Sequence, residues 1–488
     1  MKRLIGSKKR AINYKINGLL PVIAGVLLLV SSLSYAKGHN VSDRDTSVSA
    51  YMQQYLGSGG NGLMLAYPNS VERFYEADNL RPVWIDRDHT QTWDAMMLLD
   101  CVTQYGLFHA DYHPDELLYQ QLQTMIQDPS KISNQKKARF DIYLTDAMIT
   151  LMNNLHYGKL NPFYSADKID SGLMIPFHAE TELAAALQGK DFRVTILSVQ
   201  PQSKQYAAMQ DYMHLLKGQY QGDCYQVPES VVRKVAINME RLRWAEIGGS
   251  VYIQVNIPSF NLKFYQPDTT YEFKVVVGKT SAPTPVLKSQ ITYFTTTPEW
   301  KIPQKIFTNE ILPKALRDAR YLDNSHFSIY NRKGEYINPT KAKLLEIKRH
   351  PQLYYARQSA GCDNALGNIV FRFANIYDIY LHDTPEQQLF KRDERAFSHS
   401  CIRVERARDL AALLLRSVKD DNKIPVMDRA LKLHLTRNIS LKTPVPIKIT
   451  YLTCEMKQGT LITYKDIYNL DNSLEMALYN ASDTLTMQ

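Results

Sequence analysis

Leu381-His382-Asp383-Thr384-Pro385, followed by Arg395-Ala396-Phe397-Ser398-His399-Ser400-Cys401-Ile402-Arg403-Val404, is the stretch of the 488-residue chain that concentrates reactive groups. His382 closes the run Tyr377–Leu381, which reads as a strand. Ile369–Phe373 reads as another, with Ala374-Asn375 as the turn between them. Cys401 stands ahead of a helical pattern, Glu405–Arg416, with Ala407, Leu410, Ala411 and Leu414 on one face. A thiol just before a helix is expected to gain thiolate character from the N-terminal dipole. A free thiol with pKa of about 8.5 is only slightly ionised at neutral pH, and an imidazole within hydrogen-bond reach removes that limit. A zinc site fits poorly, because His399-x-Cys401 is too tight and His382 too distant for paired-ligand spacing. The residues alone leave a thiol nucleophile and an ordinary structural Cys and His both open.

Working outward, Val251–Ile257, Tyr271–Val277 and Val445–Leu452 are β-branched and aromatic runs with strand character. Upstream the period is helical. Asp141–Tyr157 places Leu144, Ala147, Met148, Leu151, Met152 and Leu155 at three- and four-residue steps before Gly158. Val71–Trp84, Trp93–Tyr105 and Ile237–Trp244 read as further helices, and His109, His113 and His156 as surface or capping residues. The expected fold class is α+β: a helical N-terminal domain, residues 67–226, and a mainly-β domain, residues 227–455. Residues 37–66 read as a flexible linker. Their Gly57-Ser58-Gly59-Gly60-Asn61-Gly62 matches a dinucleotide fingerprint in letters only, without a preceding strand. Residues 456–488 read as a polar C-terminal extension.

Composition narrows the class. Apolar residues make up 44% and charged residues 22%, which is globular. The formal charge is +9, but Lys2, Arg3, Lys8, Lys9, Arg10 and Lys15 lie in residues 1–36, which hold no acid. The remainder is only mildly basic, so no nucleic-acid partner is expected. Leu19–Val30 is a short apolar run followed by Ser34-Tyr35-Ala36, the pattern of an export signal over residues 1–36, with an uncleaved inner-membrane anchor as the alternative. Five Cys form no disulfide scaffold, and outside the cytoplasm an odd number leaves at least one thiol unmatched.

The 381–404 stretch resembles the catalytic motif of the L,D-transpeptidases, the YkuD-domain family, in which a His precedes a Ser/Thr-His-Gly-Cys element. Asn238–Trp244, Val255-Asn256-Ile257-Pro258, Val277-Gly278-Lys279, Thr284-Pro285, Pro298–Pro303 and Asn364-Ala365-Leu366-Gly367 are similar to the large, YcbB-like branch. Phe74-Tyr75, Pro82-Val83-Trp84, Gly106-Leu107, Asp111-Tyr112 and Leu155–Gly158 resemble that branch's helical scaffold domain. The resemblance implies a periplasmic enzyme with no cofactor and no metal. Cys401 would be the nucleophile on a peptidoglycan tetrapeptide stem, expelling D-Ala, with a second stem as acceptor to give a 3→3 crosslink. His382 would be general base and acid, and the Ser400 and Cys401 backbone N–H groups the oxyanion hole. Ser398 and His399 would shape the pocket or pack the cysteine loop. Arg403 would hold a stem carboxylate or an internal salt bridge, and Trp300 would be core or substrate platform. Asn364 and Gly367 would lie at the substrate.

Residues 304–356 would form a lid. Water as acceptor would make a carboxypeptidase, and a protein amine an enzyme tethering cell-wall or outer-membrane proteins. A decayed wall-binding protein is the non-catalytic reading. Three departures stand out. Ser400 replaces the usual Gly, and is expected at negative φ. Cys362 lies in a segment where the family usually has Pro. Tyr206–Gly218 runs almost directly into Val227–Trp244, leaving no room for the peptidoglycan-binding module that larger members insert there.

Overall fold

The computed structural model describes residues 47–57, 62–85, 89–217, 229–244, 249–318, 320–361 and 363–479. The expected export signal, most of the glycine-rich segment, Cys224 and Cys362 lie outside the described residues. Among those described, no helix is long and apolar enough to cross a membrane.

The N-terminal part is helical, built around the helix Asn134–His156. Its apolar positions are buried, as the period requires, and so are two carboxylates. Asp141 accepts the Tyr75 hydroxyl at 2.6 Å and the backbone N–H groups of Val83 and Trp84 at 3.0 and 2.9 Å. Burial raises its carboxyl to about 6, against the pull of those donors. Asp146 accepts Ala66 and Tyr67 N–H and meets His113 Nε2 at 2.6 Å. Buried carboxylates persist only when so paired. The histidines expected at the surface are therefore corrected. His113 serves Asp146, His109 is buried, and His156 stacks on Phe177 with ring centroids 4.0 Å apart.

The expected linker is corrected too. Val48–Leu56 is a helix capped by Ser47, and Tyr51, Met52, Tyr55 and Leu56 pack it into the helical core. Their spacing makes one apolar face, which the polar residues around it mask in composition.

The C-terminal part is mainly β. Its strands are β1 (Tyr252–Asn256), β2 (Asn261–Tyr265), β3 (Thr270–Gly278), β4 (Leu287–Thr296), β5 (Trp300–Lys301), β6 (Phe327–Asn331), β7 (Tyr336–Ile337), β8 (Tyr354–Gln358), β9 (Ile369–Phe373), β10 (Leu381–His382), β11 (Ala396–Ser398), β12 (Ile402–Val404) and β13 (Arg437–Thr450). Nine of them form one sheet, ordered β11-β3-β12-β10-β9-β4-β13-β1-β2, and β2 also pairs with β3, giving a barrel-like closure. The helix Ala407–Ser417 buries Ala407, Leu410, Ala411 and Leu414 in the same core. The remaining four form a separate sheet, β5-β8-β6-β7, with a core of its own around Phe307, Leu312, Ile329, Leu344 and Ala356. The segment expected as a lid thus carries its own packed core.

One helix splices the two parts. On Ser230–Trp244, Asn238 Oδ1 accepts Thr453 N–H at 2.8 Å, and Arg241 meets Asp471 at 2.6 Å. Glu240 accepts Leu160 N–H at 2.7 Å, and Arg243 reaches Tyr105 O and Tyr206 Oη. The chain beyond Thr453 is likewise no free polar tail. Cys454–Lys457 and Thr460–Thr463 form a hairpin, and the helix Asp471–Tyr479 docks on Ser230–Trp244. These contacts between distant segments are invisible to local periodicity.

Candidate active site

Strand pairing brings the sequence motif together. β10 runs parallel to β12 with Leu381 opposite Ile402 and His382 opposite Arg403. Continuing that register one residue back sets Tyr380 beside Cys401, and Ile402 N–H bonds Tyr380 O at 3.1 Å. Side chains alternate across a strand, so Tyr380, His382, Cys401 and Arg403 share one face.

His382 is buried, and its Nδ1 lies 2.6 Å from the carbonyl of Asp383. A carbonyl only accepts, so that nitrogen is assigned the proton and Nε2 the lone pair. Burial, then the neighbouring Arg403 guanidinium, pushes the imidazole down to about 3. It is neutral across the physiological range. Burial pushes the Cys401 thiol up to about 11, only partly offset by Tyr380. The expected helix dipole is absent here: Cys401 leads into β12, and the helix starts only at Ala407, behind Arg406. The resting pair is a neutral thiol and a neutral imidazole.

Tyr380 is a member of the site that the sequence reading did not pick out. Its phenol is held well above its ordinary value by burial and then by Cys401, so it stays a donor. Its ring meets His382 edge-on at 5.7 Å, and Arg372 lies over it at 5.3 Å. Trp300 is half-buried on β5 with its indole nitrogen buried toward Tyr380, and it packs against the core around Phe307 and Ile329. The signal that could have found Tyr380 is the period of two: it stands two residues before His382 on the same strand.

Ser400 has φ +84, which corrects the expected negative φ. Its Oγ donates to Ala282 O at 3.2 Å, while its carbonyl accepts Thr284 Oγ1 at 2.8 Å. Thr284 Oγ1 in turn accepts Gly278 N–H, and Thr284 N–H donates to the Tyr468 hydroxyl. The left-handed turn is therefore over-determined, so a serine occupies it despite a cost of roughly 1–2 kcal/mol. Removing the Cβ relieves that cost, and the long Oγ contact is a small loss. Ser400→Gly is expected to stabilise the protein by about 0.5–1 kcal/mol, and Ser400→Ala, which keeps the strain without the hydroxyl, to fall below wild type. Thermal melts that do not rank Gly above Ser above Ala would refute this account.

The other expected positions divide. Arg403 Nη1 meets the exposed Glu386 at 2.5 Å, while its buried Nε has no hydrogen-bond partner among the described residues. His399 Nε2 meets Glu310 at 2.5 Å and Lys279 Nζ at 3.4 Å, tying the cysteine loop to a π-helical turn, Phe307–Ile311, of the segment expected as a lid. Ser398 is buried, its carbonyl accepting Lys279 N–H.

Asn364 and Gly367, expected at the substrate, are buried in the packing of the turn before β9. Asn364 is fully buried, with Nδ2 donating to Ser359 O at 2.8 Å and Oδ1 accepting Leu366 N–H at 2.9 Å. Gly367 has φ +60, and a Cβ there would lie 2.6 Å from both Asp383 Oδ2 and Thr384 N. The turn presses against the segment that carries His382, which is why these residues accompany the motif.

Residues 250–447 match the L,D-transpeptidase catalytic domain (YkuD), and residues 69–213 match a scaffold domain. The chain carries a YkuD L,D-transpeptidase catalytic domain, with a scaffold domain ahead of it. A Haemophilus influenzae protein named "Putative L,D-transpeptidase" is 32% identical over 256 residues, covering 51% of this chain and 50% of that protein. The match thus spans about half the length of this curated relative. Within the YkuD domain lie all four residues of the shared sheet face, Tyr380, His382, Cys401 and Arg403.

Proposed function

We propose that the protein is an exported peptidoglycan L,D-transpeptidase that forms 3→3 crosslinks through a thioester on Cys401. The observation that carries the reading is a buried, neutral imidazole, its Nδ1 tied to a carbonyl, on the same sheet face as the Cys401 thiol in a YkuD domain. His382 Nε2 takes the Sγ proton as sulfur attacks the carbonyl carbon of the third stem residue. The oxyanion meets the backbone N–H groups of Ser400 and Cys401. As the carbon–nitrogen bond breaks, His382 returns the proton to the departing D-Ala amine. The side-chain amine of a neighbouring stem then attacks the thioester, gives its proton to His382, and the carbon–sulfur bond breaks to restore the thiol. The unpartnered Nε of Arg403 suits a stem carboxylate, with the Glu386 contact as its resting partner.

Tyr380 supplies a donor beside the sulfur. Tyr380→Phe is expected to slow acylation about 10- to 100-fold while the fold survives, since only the hydroxyl is lost. A wild-type rate in stopped-flow acylation would remove Tyr380 from the mechanism.

Mass analysis of muropeptides after incubation with tetrapeptide-bearing sacculi tests the whole reading. New 3→3 dimers support it, tripeptides alone mean hydrolysis, and an unchanged profile means a non-catalytic wall protein.

A further inference from the structure

Two cavities lie away from the cysteine, along the seam where the helical part meets the barrel-like sheet. One, of about 530 Å³, is bounded by His156, Phe177, Gln200 and Trp244; the other, of about 540 Å³, by Gln205, Tyr252 and Tyr265. Gln202 lines both, so the two adjoin along one grooved seam.

Its aromatic members are held in place. Tyr252 and Tyr265 stack at 4.6 Å, and His156 lies on Phe177 at 4.0 Å. The Trp244 indole donates to Glu240 at 2.9 Å and is wedged against Gly158, where a Cβ would come within 2.8 Å of the indole nitrogen. Gly158 also has φ +89, so two constraints demand glycine there. Arg243 adds a separate observation. Its side chain is wholly buried at the groove, its Nη atoms are engaged, and its Nε has no hydrogen-bond partner among the described residues.

Aromatic side chains interleaved with glutamine amides suit pyranose rings, which have apolar C–H surface and whose hydroxyl and acetamido groups both donate and accept. The cations that line the two cavities, Lys204, Arg243 and Lys288, are accompanied by the carboxylates of Glu182 and Asp268, which a phosphate-tracking surface would lack. We propose that this groove binds the N-acetylhexosamine glycan strand of peptidoglycan, an inference that rests on the wall-acting reading above but not on its chemistry. The helices Lys204–Lys217 and Ser230–Trp244 are separated by too few residues to enclose a binding module between them.

The placement also says which part of the wall. The groove borders β4 at Lys288, whereas His382 is level, through Val370, with Thr295 on that strand. That is about 23 Å along β4. An extended tetrapeptide spans at most about 14 Å. The gripped sugars are therefore not those bearing the reacting stem; the groove raises the local concentration of neighbouring stems.

Titration of the full chain with chitotetraose and with peptide-free glycan strands, together with pelleting on sacculi, tests this. Wild type is expected to bind all three. Tyr252→Ala, and independently Gln202→Ile at an exposed position, are expected to weaken binding about tenfold. Carbapenem acylation, which reads Cys401, reports that each variant's catalytic domain is folded. Absence of wild-type binding to both glycans, or undiminished binding in both folded variants, would overturn the proposal. Glycan binding by a wild type that cannot be acylated would uphold the groove and sink the transpeptidase reading instead.

Discussion

His382→Ala is expected to cut the acylation of Cys401 by a carbapenem about 10²- to 10⁴-fold at pH 7 and to change the shape of its pH dependence. In the wild type the imidazole is unprotonated above about 3 and the thiol protonated below about 11. Neither population changes between pH 5 and 9, so the rate should be flat there. Without His382 the thiolate must be made by solvent, and its fraction grows about tenfold for each pH unit below the thiol pKa. The variant's rate should climb accordingly. His399→Ala should cost less, because its imidazole faces Glu310 and Lys279. Stopped-flow acylation across that range decides the matter. A wild-type rate that itself climbs tenfold per unit would mean His382 is not the base, and a greater loss in His399→Ala would exchange the two roles.

The second large effect concerns stability. Glu240 and Arg243 have no exposed side-chain surface, and their carboxylate and guanidinium meet at 3.2 Å. Glu240 also holds Leu160 N–H and the Trp244 indole. Glu240→Ala strands a buried cation and two donors at once, which is expected to cost about 3–5 kcal/mol. Glu240→Gln keeps hydrogen-bonding capacity and should lose less. Adding Arg243→Met to Glu240→Ala should recover part of the loss, because the stranded charge leaves with it. Far-UV melts and limited proteolysis of the three variants give the ranking. A Glu240→Ala melt superimposable on wild type would show that the splice helix does not depend on this pair.

The same helix shows why the Asn238–Trp244 block was recognisable before its purpose was. Each polar residue in it has a partner more than forty residues away or on the next turn: Thr453 for Asn238, Leu160 and Trp244 for Glu240, Asp471 for Arg241, Tyr105 for Arg243. A block of letters can be matched without knowing those partners.

Local information sufficed where the physics is local. The period of 3.6 in Asp141–Tyr157 and the short β-branched and aromatic run Ile369–Phe373 are local signals, so the helical and β parts were legible in the chain alone. His382 and Cys401 were picked out from their residue types and their likeness to a known motif, and the strand register sets them on one face. Three things depended on the tertiary structure. The charge state of the pair follows from burial, which drives thiol and imidazole to their neutral forms and which no spacing encodes. Tyr380 enters because a parallel register sets it beside a cysteine twenty-one residues on, and register is a property of two strands together. The positive φ at Ser400 runs against the residue's own preference and is held there by Ala282, Thr284 and, through Thr284, Tyr468, which residues distant in the chain supply.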